Sequence, residues 1–128
     1  MPIRTRRVFL VILWMTLIAV GSSVPKPDGE PGLGPWDKLA HLFAYGVLGL
    51  LIARAMYING IGNWREIAVV TMLATLYGVS DEFHQSFVLG RESSIGDLAA
   101  DAGGALLAAC LLYWLRTRRV MAGHGGAQ

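Results

Sequence analysis

The chain has 128 residues, of which 54% are hydrophobic and 16% charged, against roughly 25% charged in an average soluble domain. That length excludes two soluble domains of ordinary size, and no polar tract is long enough to form a disordered partner segment. The formal charge of +2 comes from 11 basic and 9 acidic residues, and its distribution excludes a nucleic-acid face. Arg4, Arg6 and Arg7 stand at one end and Arg116, Arg118 and Arg119 at the other, each group beside a long apolar stretch, as in membrane proteins. The single cysteine, Cys110, lies in an apolar run, which excludes an internal disulfide and a cysteine-based zinc site.

In chain order, residues 8–20 are apolar apart from Thr16, and extension to residue 24 gives 17 residues, the lower limit for crossing the hydrocarbon core. A first membrane helix is expected there. The alternative is a cleaved signal peptide, since the basic start, the apolar stretch and the small residues Ala19, Gly21, Ser22 and Ser23 fit that template too. Residues 24–36 hold Pro25, Pro27, Pro31 and Pro35 and are expected to form an exposed loop.

A second span is expected over residues 36–58, with Trp36 and Tyr57 as interfacial anchors and Arg54 able to snorkel near its end. Residues 59–63 read as a turn. The third apolar stretch, residues 67–79, has only 13 residues before Ser80, Asp81, Glu82, His84 and Gln85, so it must continue through that polar cluster to span a bilayer. After a turn over residues 89–94, a fourth span is expected over 95–115, closed by Tyr113 and Trp114, with residues 123–128 as a disordered tail. Trp14, Trp36, Trp64 and Trp114 read as interfacial belt residues. The fold expected is therefore all-α, a single integral membrane bundle of four transmembrane helices over residues 1–128.

Orientation follows from the loops. With the N-terminus cytoplasmic, Arg4, Arg6, Arg7, Arg54, Arg65, Arg116, Arg118 and Arg119 lie inside, against Lys26, Lys38 and Arg91 outside. This asymmetry predicts a multi-pass protein of the inner (plasma) membrane with both termini cytoplasmic. All the acids except Glu66 then fall at or toward the outer face.

Three helix ends supply the candidate site. Asp37, Lys38, His41 and Tyr45 fall within an arc of about 100° at the outer start of the second helix. Asp81, Glu82, His84 and Gln85 spread over about 160° at the outer end of the third. Asp97, Asp101, Gly104 and Ala108 align within about 60° on the fourth, with Ala100, Gly103 and Ala105 beside them, a row that would let a neighbouring helix approach closely. Asp101 lies one to two turns inside the apolar span, where an unpaired charge costs about 2.5–3.5 kcal/mol. It calls for a partner, with Lys38 or Arg91 as candidates. Tyr45 and Tyr77 read as packing residues, and a hydrogen-bonded structural role is open for His41.

Three segments, Asp37-Lys38-Leu39-Ala40-His41-Leu42-Phe43-Ala44-Tyr45, Ser80-Asp81-Glu82-Phe83-His84-Gln85-Ser86-Phe87 and Gly90-Arg91-Glu92-Ser93-Ser94-Ile95-Gly96-Asp97, resemble in order and spacing the successive signatures of the VanZ-like family of integral membrane proteins. The resemblance covers residues 37–108. It carries family positions onto Asp37, Lys38, His41, Tyr45, Glu82, Gln85, Arg91, Asp97 and Gly104, while Asp101 stands where the family often has Asn. The family takes its name from a protein associated with low-level resistance to the glycopeptide teicoplanin, a label that supplies no reaction.

The function expected is a small cell-envelope protein whose outward polar cluster of Asp37, Lys38, His41, Tyr45, Glu82, Gln85, Arg91, Asp97 and Asp101 recognises a lipid-linked or cell-wall headgroup. Basic side chains suit phosphate, and acids and amides suit sugar hydroxyls. Arg91 in particular is expected to reach Glu82, Asp97 or a lipid phosphate, and to matter more to function than to folding. An alternative is a membrane enzyme using Glu82 or Asp81 with His41 or His84 as acid/base pair or metal ligands. A third reading, an ion path through Asp101, lacks further ionisable groups deeper in the span. G-x-S-x-G, HExxH and phosphate-loop motifs are missing, so neither a cofactor nor a metal is expected, and the partners expected are membrane lipids and not nucleic acid.

Overall fold

A computed structural model describes residues 2–26, 35–56 and 63–124. These form four helices: α1 (Ile3–Ser22), α2 (Pro35–Met56), α3 (Trp64–Gln85) and α4 (Ile95–His124), with no strand among the described residues. The all-α expectation is met.

Local chemistry sets the ends. Pro35 opens α2, a position where its missing N–H has no helical partner to lose, so the exposed loop expected over residues 24–36 gives up its last two residues to the helix. Asn63 caps α3, its side chain accepting from the Arg65 and Glu66 backbone N–H groups at 2.9 and 3.2 Å, which satisfies two otherwise orphaned donors. Ser94 satisfies one such donor at the start of α4, its Oγ accepting from the Gly96 N–H at 3.1 Å. In the turn before it, Gly90 has φ +74°, a conformation that favours glycine.

Several expected boundaries move. α3 runs through the polar cluster to Gln85, as spanning length required. α4 overruns its expected end at residue 115 and continues to His124, giving 30 residues. The reason is that helix-forming residues continue past the apolar run, and Arg118 stacks over the Trp114 ring at 4.2 Å. Only residues 125–128 of the expected tail remain, and they lie outside the described residues. So do Tyr57 and residues 58–62, which held the expected end of the second span and most of the following turn.

The helices alternate in direction. Arg7 donates to the Arg54 carbonyl at 3.1 Å and the Trp14 indole to the Ala44 carbonyl at 2.9 Å, setting α1 antiparallel to α2. Ser22 on α1 meets Asp81 on α3, and His41 on α2 meets Asp101 on α4, so each of those pairs is parallel. Trp14 is thus a bundle residue and not the belt anchor expected of it, because its N–H finds a carbonyl inside the protein. Trp36, Trp64 and Trp114 are exposed.

The most extensive packing is between α2 and α4. Tyr45, Leu48 and Ile52 on α2 meet Ala105 and Ala109 on α4 and Val70 and Ala74 on α3. A Cβ on Gly104 would overlap the Leu42 carbonyl, so the α2–α4 approach depends on that glycine. Gly103 was expected in the same seam, but a Cβ there would meet nothing within 4 Å.

Polarity is arranged inside-out. Asp81, Glu82, Gln85, Asp97 and Asp101 are buried, whereas Phe9, Ile12, Leu17, Phe43, Met72, Leu76, Leu107 and Leu111 are exposed. Among the described residues, two helices, Trp36–Met56 and Ile95–Ala122, are long and apolar enough to cross a membrane. Length and composition thus support two spans, where four were expected.

Candidate functional site

Because the helices alternate, the C-terminal ends of α1 and α3 and the N-terminal ends of α2 and α4 meet at one end of the bundle. On α1, Ser22 donates from Oγ to Asp81 Oδ1 at 2.5 Å. One turn further along α3, Gln85 Nε2 donates to Asp81 Oδ2 at 3.0 Å, so both oxygens of this buried carboxylate are satisfied. Glu82, also buried, accepts at Oε2 from the Ser94 backbone N–H at 2.7 Å, which ties the end of α3 to the start of α4. Asp97 lies in the first turn of α4, where the helix dipole favours a carboxylate, and accepts from Lys38 Nζ at 3.1 Å.

Asp101 is fully buried, with 0% exposure. Its expected partners were Lys38 and Arg91. Instead, His41 donates from Nδ1 to its Oδ1 at 2.9 Å, because His41 lies one turn deeper than Lys38 on α2 and so faces the deeper acid of α4. The His41 ring stacks on Tyr45, with centroids 6.3 Å apart and planes 9° from parallel. Tyr45 is a buried core residue, and Tyr77 donates to the Met15 carbonyl at 2.6 Å, so both tyrosines pack as expected.

Arg91 meets neither of the two side chains expected as its partners. Its guanidinium reaches neither Glu82 nor Asp97; it donates from Nε to the Val24 carbonyl at 3.2 Å and from Nη2 to the Gly21 carbonyl at 2.8 Å. The carbonyls at the C-terminal end of α1, where the helix dipole is negative, attract a cation there. Asp37 pairs with Lys26 at 3.3 Å, and the Lys26 N–H donates to the Leu89 carbonyl at 3.1 Å, so the chain after α1 is stitched to the α3–α4 turn. Glu92 is exposed.

Of the histidines named for an acid–base enzyme, exposed His84 has Nε2 2.9 Å from Ser23 Oγ, and His41 hydrogen-bonds Asp101. Neither is hydrogen-bonded to Glu82 or Asp81, so the geometry does not favour the acid/base half of that alternative. Sequence reasoning missed Ser22 and Ser94 as partners of the acids. For Ser22 the available signal was its polarity at the end of an apolar run.

A cleft of about 300 Å³ opens between α1, α2 and α3, its polar wall made by Asp37, His41, Asp81, Gln85 and Arg91 and its apolar wall by Leu17, Ile18 and Ala44. Lys38, Glu82, Asp97 and Asp101 lie outside its lining. The nine residues named from sequence therefore divide into Asp37, His41, Tyr45, Gln85 and Arg91 on the cleft and Lys38, Glu82, Asp97 and Asp101 beside it, the two groups joined by the His41–Asp101 bond. Compared with the curated proteins and with the solved structures, the chain matches none. The VanZ/LLP1 family model, however, matches residues 7–116, a stretch that takes in α2 and α3 whole, most of α1 and α4 and every side chain of the cluster, and the chain belongs to that family.

Proposed function

We propose that this VanZ/LLP1 family member is a four-span protein of the inner membrane, with the ends of its described chain on the cytoplasmic side. Its outward cleft recognises the headgroup of a lipid-linked or cell-wall molecule. For α1 and α3 as spans, the support is their length and their outer faces. At 20 and 22 residues they reach about 30 Å or more, the thickness of the hydrocarbon core, and Phe9, Ile12, Leu17, Met72 and Leu76 are exposed along them. α1 is joined to α2 and α3 by Trp14, Ser22 and Tyr77, which favours a retained helix over a cleaved signal peptide. The charge asymmetry sets the orientation.

The observation that carries headgroup recognition is the cleft itself. Carboxylate, amide and imidazole groups on one wall suit sugar or peptide hydroxyl and N–H groups, and the apolar wall of Leu17, Ile18 and Ala44 suits the start of an acyl or prenyl chain. Arg91 spends two N–H donors on the carbonyls of Gly21, in the last turn of α1, and Val24, just beyond it, which leaves the rest of its five donors for a phosphate at the rim. The test is lipid analysis of detergent-purified protein, wild type against Gln85→Ala, with thermal unfolding as the control for folding. A headgroup-bearing lipid enriched in the wild type and depleted in a folded Gln85→Ala supports recognition. The same lipid profile in both proteins, or in an unrelated membrane protein purified alongside, overturns it.

A further inference from the structure

Behind the cleft, the buried acids outnumber the cations that face them. Asp81, Glu82, Asp97 and Asp101 are all buried. Among the described residues, their ion-pair partners are Lys38 on Asp97 and His41 on Asp101. The hydrogen bonds from Ser22, Gln85 and the Ser94 amide stabilise Asp81 and Glu82 without adding positive charge. Two carboxylate oxygens, Glu82 Oε1 and Asp101 Oδ2, are buried with no hydrogen-bond partner, and Glu82 is only 6% exposed. Buried carboxylates in that state need a proton or a cation.

The geometry points to a cation. One donor atom from each of His41, Glu82 and Asp97 lies within 4.8 Å of the other two, and the three come from α2, α3 and α4. His41 uses Nδ1 on Asp101, so Nε2 is the ring nitrogen left for a metal. That is the carboxylate–histidine relay by which proteins orient a ligating imidazole. We propose that His41, Glu82 and Asp97 bind a divalent transition-metal ion of the zinc or manganese kind, with Asp101 as the positioning residue behind His41.

Bonds of about 2.0–2.2 Å bring ligand atoms to about 3–4 Å from one another, so closure on the ion needs rotamer movement of about an ångström. One imidazole with two carboxylates selects against the all-oxygen preference of calcium and magnesium. Lys38 supplies Asp97 with positive charge in this structure, and its side chain is 53% exposed, so it can swing into solvent when an ion takes the carboxylate. No short motif signalled the site, because its ligands are drawn from three helices. The site shares His41 with the cleft but not Gln85, the residue on which the headgroup test turns, so either proposal can fail without the other.

The test uses the full untagged chain in detergent, stripped with a chelator and dialysed against Zn²⁺ or Mn²⁺, with Ca²⁺ and Mg²⁺ as controls and bound metal counted by elemental mass spectrometry. About one Zn²⁺ or Mn²⁺ per chain is expected at micromolar metal, with affinity at least tenfold weaker in His41→Ala and Glu82→Gln. Lys38→Met, which removes the competing ammonium and no ligand, is expected to bind several-fold more tightly, and it decides the matter if the ligand variants do not fold. No binding by the wild type, binding unchanged in both ligand variants, or binding by Lys38→Met no tighter than wild type would each overturn the site.

Discussion

His41 on α2 and Asp101 on α4 meet at 2.9 Å inside the bundle, the acid with no exposure to solvent. The two halves of such a pair differ in what their loss leaves behind. His41→Ala strands a buried carboxylate, which costs about 3–5 kcal/mol, whereas Asp101→Ala strands an imidazole N–H that can remain neutral, at about 1–3 kcal/mol. Asp101→Asn keeps an acceptor for Nδ1 and is expected to fold nearly as well as the wild type, consistent with the resemblance that places Asn here in related chains. Thermal unfolding in detergent should therefore rank Asp101→Asn above Asp101→Ala above His41→Ala, and adding Asp101→Asn to His41→Ala should recover stability. A double variant no better than His41→Ala would mean that the stranded charge is not what the single change exposes.

The α2–α4 seam supplies a paired comparison one residue apart. Gly104→Ala pushes a methyl into the Leu42 carbonyl, while Gly103→Ala points one into open space. Overpacking of this kind costs about 1–3 kcal/mol. Gly104→Ala is thus expected to lower the melting temperature and the amount of protein in the membrane, and Gly103→Ala to leave both near wild type. Equal effects would show that the seam is not held by backbone contact at Gly104.

A third glycine probes the buried acid directly. A Cβ on Gly78 of α3 would lie 2.8 Å from Asp101 Oδ2, so Gly78→Ala must displace the carboxylate or α3 itself. Because Ala stabilises a helix interior by about 1 kcal/mol relative to Gly, a gain in stability is the default for this substitution. The expectation here is a loss instead, and it should shrink when Asp101→Ala vacates the space. A loss of the same size in both backgrounds would place the clash elsewhere.

The sequence carried the helix order and the level at which polar groups gather, because both depend on patterns that repeat along the chain. An apolar run broken by Asp81, Glu82 and Gln85 at one end and another opening with Asp97 and Asp101 place their polar residues at a common depth once neighbouring helices alternate. The pairing within that layer was out of reach. Which of several acids His41 meets depends on the rotation of α2 against α4, set by the Gly104–Leu42 contact. Arg91 found backbone carbonyls, acceptors that every residue carries and no side-chain pattern reveals. Trp14 was misplaced for the same reason, its partner being the Ala44 carbonyl. The end of α4 was missed because hydropathy falls at residue 115 while helix propensity does not.

Orientation can be checked with reporter fusions. Arg7 and Arg54 are hydrogen-bonded at one end of the bundle, and Lys38 pairs with Asp97 at the other, so the eight-to-three division of Lys and Arg drawn from the loops corresponds to two physical ends. Fusions at Gly62 and Gly123 are expected to report a cytoplasmic position and one at Gly29 an external one. An external reading at Gly62 would reverse the bundle and place the cleft on the cytoplasmic side.

Arg91 separates holding the bundle from binding a ligand. Its two hydrogen bonds tie the α3–α4 turn to the end of α1, beside the backbone bond from Lys26 to Leu89, and that contact forms one wall of the cleft. Lysine keeps the charge but not the fixed fork that spans two carbonyls, and a partly exposed pair of this sort contributes about 1 kcal/mol. Arg91→Lys is therefore expected to lower the melting temperature in detergent by a few degrees, with Arg91→Ala lower again. Hydrogen exchange should rise at the end of α1, around Gly21 to Val24, while the start of α4 stays protected by the Ser94–Glu82 bond. If Arg91→Lys instead matches the wild type in melting and exchange while any lipid bound by the wild type is lost, the clamp is dispensable and the guanidinium serves the ligand alone.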